Sequence, residues 1–184
     1  METSDKQIVV IEGPSGVGKD TVIKNLIQKY PDRFAKLISV ATRAMRPNES
    51  EGNPYHFVNH AEFDQMVATG DIFEHTTRHG EKRGMSEKYI QAILAQNKIP
   101  LKDCDVVGVR ALKSRFKNVT SIFLTADKAE VERRLHARGD APADIAERLQ
   151  DYDRCLQDAK YYDHVIVNDN LQETIDKILT IIDN

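Results

Sequence analysis

Gly13-Pro14-Ser15-Gly16-Val17-Gly18-Lys19-Asp20-Thr21 decides how the rest of this chain is read. It follows Gln7-Ile8-Val9-Val10-Ile11, an apolar, largely β-branched run with the length of a buried strand. Behind it, Thr21-Val22-Ile23-Lys24-Asn25-Leu26-Ile27 carries apolar residues at helical spacing. Strand, glycine-rich turn and helix together are the setting in which G-x-x-x-x-G-K is a phosphate-binding loop. Gly13, Gly16 and Gly18 let backbone N–H groups, Ser15 and Val17 among their neighbours, close around an anion. The helix N-terminus adds its positive dipole end, and Lys19 brings a mobile charge to the outer phosphates. After the lysine, where such loops carry a Ser or Thr for magnesium, stands Asp20. A carboxylate is also a hard-cation ligand, and Thr21 is next in line, so either could meet the ion.

Composition bounds the remaining possibilities. At 184 residues, 40% hydrophobic and 30% charged, the chain reads as one globular domain able to bury a core of its own. A formal net charge of −3 speaks against a nucleic-acid partner. Two cysteines, Cys104 and Cys155, build no disulfide framework, so a reducing compartment is the simpler expectation. The terminus Met1 to Lys6 is polar, without the layout of a signal peptide, and no apolar run reaches membrane-span length. The expected location is the cytoplasm, with no membrane partner.

Working outward, the first helix should stop at Tyr30-Pro31-Asp32. Leu37–Val40, Tyr55–Val58 and Asp71–Thr76 read as short strands, Ala61–Thr69 as a helix stopped by Gly70, and Arg78–Gly84 as a basic turn. Later come helices at Ser86–Gln96 (Ser86 as N-cap), Val109–Phe116, Lys128–Arg138, Asp144–Asp158 and Leu171–Ile182. Between them lie strands at Ile99–Asp105, Val119–Leu124 and His164–Val167. Strands alternating with helices predict a parallel sheet covered on both faces. Short strands interrupt that rhythm over 36–85 and predict a smaller inserted lobe, with core segments at 1–35, 86–136 and 149–184 and a lid at 137–148.

Arginines supply the next signal. Arg43 and Arg46 sit three apart, Arg78 and Arg83 flank glycines, and Arg133, Arg134, Arg138 and Arg148 follow late. A guanidinium fork matches phosphate oxygens and keeps its charge. Cations from several segments facing an ATP-holding loop are what phosphoryl transfer requires, because its transition state spreads negative charge over the equatorial oxygens. Asp103 and Asp105 end a strand at the edge where open α/β sheets bind ligands, or one of them caps a helix. Glu74 lies in an otherwise apolar strand. The histidines show no metal spacing with the cysteines, and Cys104 reads as packing.

These residues resemble guanylate kinases nearly end to end: the loop Gly13–Lys19, then Ser39, Thr42-Arg43, Arg46-Pro47, Glu51-Gly52, Tyr55-His56-Phe57-Val58, Phe73-Glu74, Arg134-Leu135, Arg138-Gly139, Arg148-Leu149 and Val167-Asn168-Asp169. The resemblance implies a P-loop α/β fold with an inserted GMP-binding lobe and a short lid. It implies ATP-dependent phosphorylation of GMP or dGMP, with Mg2+ as cofactor and nucleotides as the partners of a monomer or homodimer. Lys19 would bridge the ATP phosphates. Arg43, Arg46 and Tyr55 would hold the GMP phosphate, and Ser39 and Glu74 the guanine edge. Asp103 and Asp105 would lie near the metal and the acceptor. Arg138 and Arg148 would close over the transferring group, with Arg134 and Asn168 on the ATP side.

Lys82-Arg83-Gly84-Met85-Ser86 departs from the family's pattern of two tyrosines, a glycine and a small hydroxyl residue. Arg83 stands where a tyrosine would touch the acceptor phosphate, and Met85 offers no donor to guanine O6. Two other readings are a related kinase for a sugar phosphate such as ribose 1,5-bisphosphate, and a non-catalytic guanylate-kinase-like binding module. Glu74 speaks against the first and the intact Lys19 against the second.

Overall fold

The computed structural model describes residues 6–184. The polar terminus read above as lacking a signal peptide lies, but for Lys6, outside the described residues. The central strand β1 (Ile8–Glu12) buries Ile8 through Ile11 completely. Successive side chains of a strand point to opposite faces, so a doubly buried strand must be apolar throughout. Val9 and Ile11 pack with α1 (Lys19–Lys29), α5 (Lys128–Arg138) and α7 (Leu171–Asp183) through Val22, Leu26, Val131, Leu135, Ile175 and Ile178. Ile8 and Val10 pack on the other face with α3 (Glu87–Ala95) and α4 (Val106–Arg115) through Ile90, Leu94, Val109 and Leu112.

The five-stranded sheet has the order β2 (Phe34–Lys36), β7 (Ile99–Lys102), β1, β8 (Val119–Thr125), β9 (His164–Val167), and every neighbouring pair is parallel. The carboxyl ends of β1 and β7 therefore open on the same edge, where Glu12 and the loop stand beside Lys102 and Asp103. The helix α6 (Pro142–Leu156) follows α5 after a short turn.

Residues 40–86 build a second sheet, ordered β4 (His56–Phe57), β3 (Val40–Ala41), β6 (Glu81–Ser86), β5 (Ile72–Arg78). Only β3 and β4 run parallel. The helix α2 (His60–Ala68) covers it with Phe63, which is fully buried against Val40 and Ile72. Burying such a ring contributes about 1.5–3 kcal/mol, a large share of so small a core. Asn59 begins α2 in a capping box with Glu62.

Two expectations are corrected here. The segment 78–84 is a turn only at His79-Gly80; Glu81–Ser86 is a strand, joined to β5 by a two-residue hairpin with φ of 52° and 82°. The strand expected over Leu37–Val40 does not form: β2 ends at Lys36 in one sheet, residues 37–39 are irregular, and β3 begins at Val40 in the other sheet. Residues 137–148 hold the end of α5, the turn at Gly139 and the start of α6. Among the described residues, no helix is long and apolar enough to cross a membrane.

Candidate active site

The loop after β1 needs its glycines. Gly13, Gly16 and Gly18 have φ of 151°, 87° and 99°. A Cβ on Gly13 would stand 2.1 Å from the Leu124 carbonyl oxygen, so only glycine lets the loop leave β1 beside β8. Gly18 is the N-cap of α1, which puts Lys19, Asp20 and Thr21 in the first turn, with Asp20 and Thr21 exposed. The Lys19 ammonium donates to the carbonyls of Gly13 and Pro14 (3.1 Å to the latter) and lies 3.6 Å from Glu12 Oε1. Burial pushes the Glu12 carboxyl above its ordinary range, against the pull of Lys19.

Gly13, Ser15, Lys19 and Arg148 line a cavity of about 530 Å³ together with Glu12. Arg148 Nη1 donates to Ser15 Oγ at 2.5 Å, bringing α6 onto the loop. Asp140 pairs with both Arg138 and Arg148, the latter at 3.4 Å, so the two arginines are gathered by one carboxylate. Arg133 is instead a surface residue, paired with Glu130 one turn away.

Arg134 and Asn168 support the loop from behind. Arg134 Nη1 and Asn168 Nδ2 both donate to the Val17 carbonyl, at 3.1 and 2.7 Å, and Arg134 Nη2 reaches the Asn168 carbonyl at 2.9 Å. Asn168 Oδ1 accepts from Thr174 Oγ1 at 2.8 Å, and the residue is 5% exposed. Asn168, expected on the ATP side, thus directs both ends of its side-chain amide to protein partners.

A second cavity, of about 830 Å³, opens between the two sheets. It is lined by Ser39, Arg43, Arg46, Glu74, Arg83, Asp103 and Asp105 from the sequence expectations, and by Glu12, which it shares with the loop cavity. Tyr55 lines an adjoining pocket with Ser39 and Arg83. The Arg43 and Arg83 guanidiniums stand over the Tyr55 ring, at 5.1 and 4.9 Å from its centroid. Arg43 is held bidentately by Glu49 at 2.7 and 2.6 Å, and Glu49 also accepts from the Arg46 amide at 2.8 Å. These bonds hold the Glu49 carboxyl down at about 2. Arg43 Nε is buried without a hydrogen-bond partner.

Burial, with Asp105 adding, raises the Glu74 carboxyl above its usual range, while Lys102 opposes the shift. Asp105 is the N-cap of α4, accepting from Val107 and Gly108 amides at 3.0 and 3.1 Å, so it fixes the helix as well as lining the cavity. Glu12, Glu49 and Lys102 were not singled out by sequence. Glu12 and Lys102 carry only the signal of a charge ending a short strand, and Glu49 lies in a polar irregular stretch with no such signal.

Fold and site together define a phosphate-loop α/β class, with an arginine- and carboxylate-lined cavity adjoining the loop cavity at Glu12. The guanylate kinase family model matches residues 5–184. The guanylate kinase of Symbiobacterium thermophilum is 33% identical over 178 residues, covering 95% of this chain and 83% of that protein. That of Thermosynechococcus vestitus is 35% identical over 171 residues, covering 92% and 89%. The crystal structure of guanylate kinase from Anaplasma phagocytophilum superposes with a TM-score of 0.66 at 28% identity, over 96% of this chain and 84% of that one. The chain belongs to the guanylate kinase family, whose members are nucleoside monophosphate kinases.

Proposed function

We propose that this protein transfers the γ-phosphoryl group of ATP to GMP, giving ADP and GDP. The observation that carries the proposal is that the loop cavity and the arginine-lined cavity share a wall at Glu12, so a nucleotide held in each would bring its phosphates together. Positioning two anions head to head is the main task in this reaction, and an acceptor phosphate needs no general base because its oxygens are already ionised.

Lys19 and the amides around Gly13, Ser15, Gly16, Val17 and Gly18 bind the ATP phosphates. Arg43, Arg46 and Arg83 hold the acceptor phosphate, with Tyr55 beneath two of these cations. Glu74 accepts from the guanine N1 and N2 hydrogens and Ser39 stands at the same edge, while Asp103 and Asp105 bound the acceptor side. Arg138 and Arg148 neutralise charge on the transferring group once they exchange Asp140 for phosphate oxygens. Arg134 and Asn168 keep the loop in shape. For Mg2+, the hard oxygens of Asp20 and Thr21, exposed in the first turn of α1, suit an ion that takes one or two protein ligands alongside phosphates. Bound there, it would supply positive charge to the phosphate chain.

The test is product identity. Incubation with Mg·ATP and GMP, resolved by ion-exchange chromatography, is expected to give ADP and GDP in equal amounts. ADP without GDP would overturn the proposal.

A further inference from the structure

Lys102 ends β7, a strand flanked on both sides in the parallel sheet, yet it is 9% exposed. A buried ammonium is expensive to keep unless its three donors find partners. Ser39 Oγ accepts one at 2.8 Å, and the nearest carboxylate, Asp103, stands 3.8 Å away, past hydrogen-bond range. The remaining donors belong to a group that lines the acceptor cavity beside Glu74, Met85 and Asp105.

That wall has a polarity. Glu74 offers two acceptor oxygens, Lys102 offers donors, and Met85, which has no donor, is buried at 2% exposure. Guanine presents the reverse pattern along one edge: a keto oxygen acceptor at C6, then donors at N1 and N2. Adenine places an amino donor where guanine has the keto oxygen. A buried ammonium facing that amino group would be left unpaired, and unpaired buried polar groups give the strongest discrimination between similar substrates.

We infer that Lys102, oriented by Ser39, is the donor that reads guanine O6 in this protein, taking over what Met85 cannot do. The inference rests on the proposed GMP acceptor. Its charge also favours the ionised form of Glu74, so one residue sets both halves of the recognition edge.

The experiment compares GMP, 6-thio-GMP and IMP as acceptors for the wild-type protein, Lys102→Met and Lys102→Gln. Sulfur at C6 weakens the acceptor while leaving N1 and N2 intact, and IMP keeps O6 while losing the N2 amino group. Lys102→Met is expected to lower kcat/KM for GMP roughly 10- to 100-fold, the loss of a hydrogen bond from a charged group. The GMP over 6-thio-GMP preference is expected to collapse towards unity, the GMP over IMP preference to persist, and Lys102→Gln to fall between. Adding Met85→Thr to Lys102→Met is expected to restore part of the GMP rate. An unchanged GMP to 6-thio-GMP ratio in Lys102→Met or in Lys102→Gln, with wild-type protein active on GMP, would overturn the role of Lys102 alone. Wild-type protein that binds Mg·ATP and leaves GMP unphosphorylated would instead overturn the GMP reading.

Discussion

Replacing Asn168 by alanine separates support of the loop from contact with the nucleotide. The amide is 5% exposed and makes two internal hydrogen bonds, to the Val17 carbonyl at 2.7 Å and from Thr174 Oγ1 at 2.8 Å. Arg134 Nη1 would still satisfy Val17 at 3.1 Å, but the Thr174 hydroxyl, 1% exposed with its residue, would lose its acceptor. Two neutral bonds at about 1 kcal/mol each, plus a stranded buried hydroxyl at about 1–2, give roughly 3–4 kcal/mol. For a chain of this size that corresponds to a fall in Tm of roughly 5–15 °C. Thermal unfolding followed by circular dichroism reads the loss directly, and calorimetric titration with ATP should show weaker binding through a loosened loop. KM for GMP, measured at saturating ATP, should hold. A Tm within about 2 °C of wild type, well under the smallest shift expected, combined with a large loss of ATP affinity, would refute the reasoning and put Asn168 on the ligand.

The site sets four further outcomes. Glu74→Gln should lower kcat/KM for GMP about 100-fold by replacing one of its two acceptor oxygens with a donor NH2 at the base edge. Because burial raises the Glu74 carboxyl and the ionised form is the one that accepts, kcat/KM should fall as pH drops through a value above the ordinary carboxylate range, and Glu74→Gln should lack that limb. Arg148→Met should lower kcat by about 100-fold or more with little change in KM for GMP, seen in steady-state kinetics, since its guanidinium acts on the transferring group. Glu49 should titrate near 2 by carbon NMR, and Arg43→Met should return it towards 4.5. Its pKa is depressed, so the contribution of this pair to the order of residues 43–49 is present above the ordinary carboxylate range and is lost as pH falls towards 2.

Much of the fold was legible because its signals are local. The loop, α5 with Gly139 as its stop, Ser86 as the N-cap of α3, and β9 each rest on a few neighbouring residues. The strand Glu81–Ser86 was hidden because Glu-Lys-Arg-Gly-Met-Ser has no β-branched content; its pairing with β5 and β3 makes it a strand. Leu37 to Val40 looked like strand because Leu37, Ile38 and Val40 are apolar, yet residues 37–39 serve as the crossing between two sheets. Arg43, Arg46, Arg78, Arg83 and Glu74 were visible from residue chemistry and do gather on one cavity. Glu12, Glu49 and Lys102 were not, since their meaning comes from partners such as Lys19, Arg43 and Ser39 that the fold supplies.

The most direct test of the central claim is acceptor selectivity in a coupled ADP-release assay with Mg·ATP and GMP, dGMP, AMP, CMP, UMP and ribose 1,5-bisphosphate in parallel. A carboxylate and an ammonium facing one base edge predict turnover of GMP and dGMP well above every other acceptor. Preferred turnover of ribose 1,5-bisphosphate or AMP would contradict it.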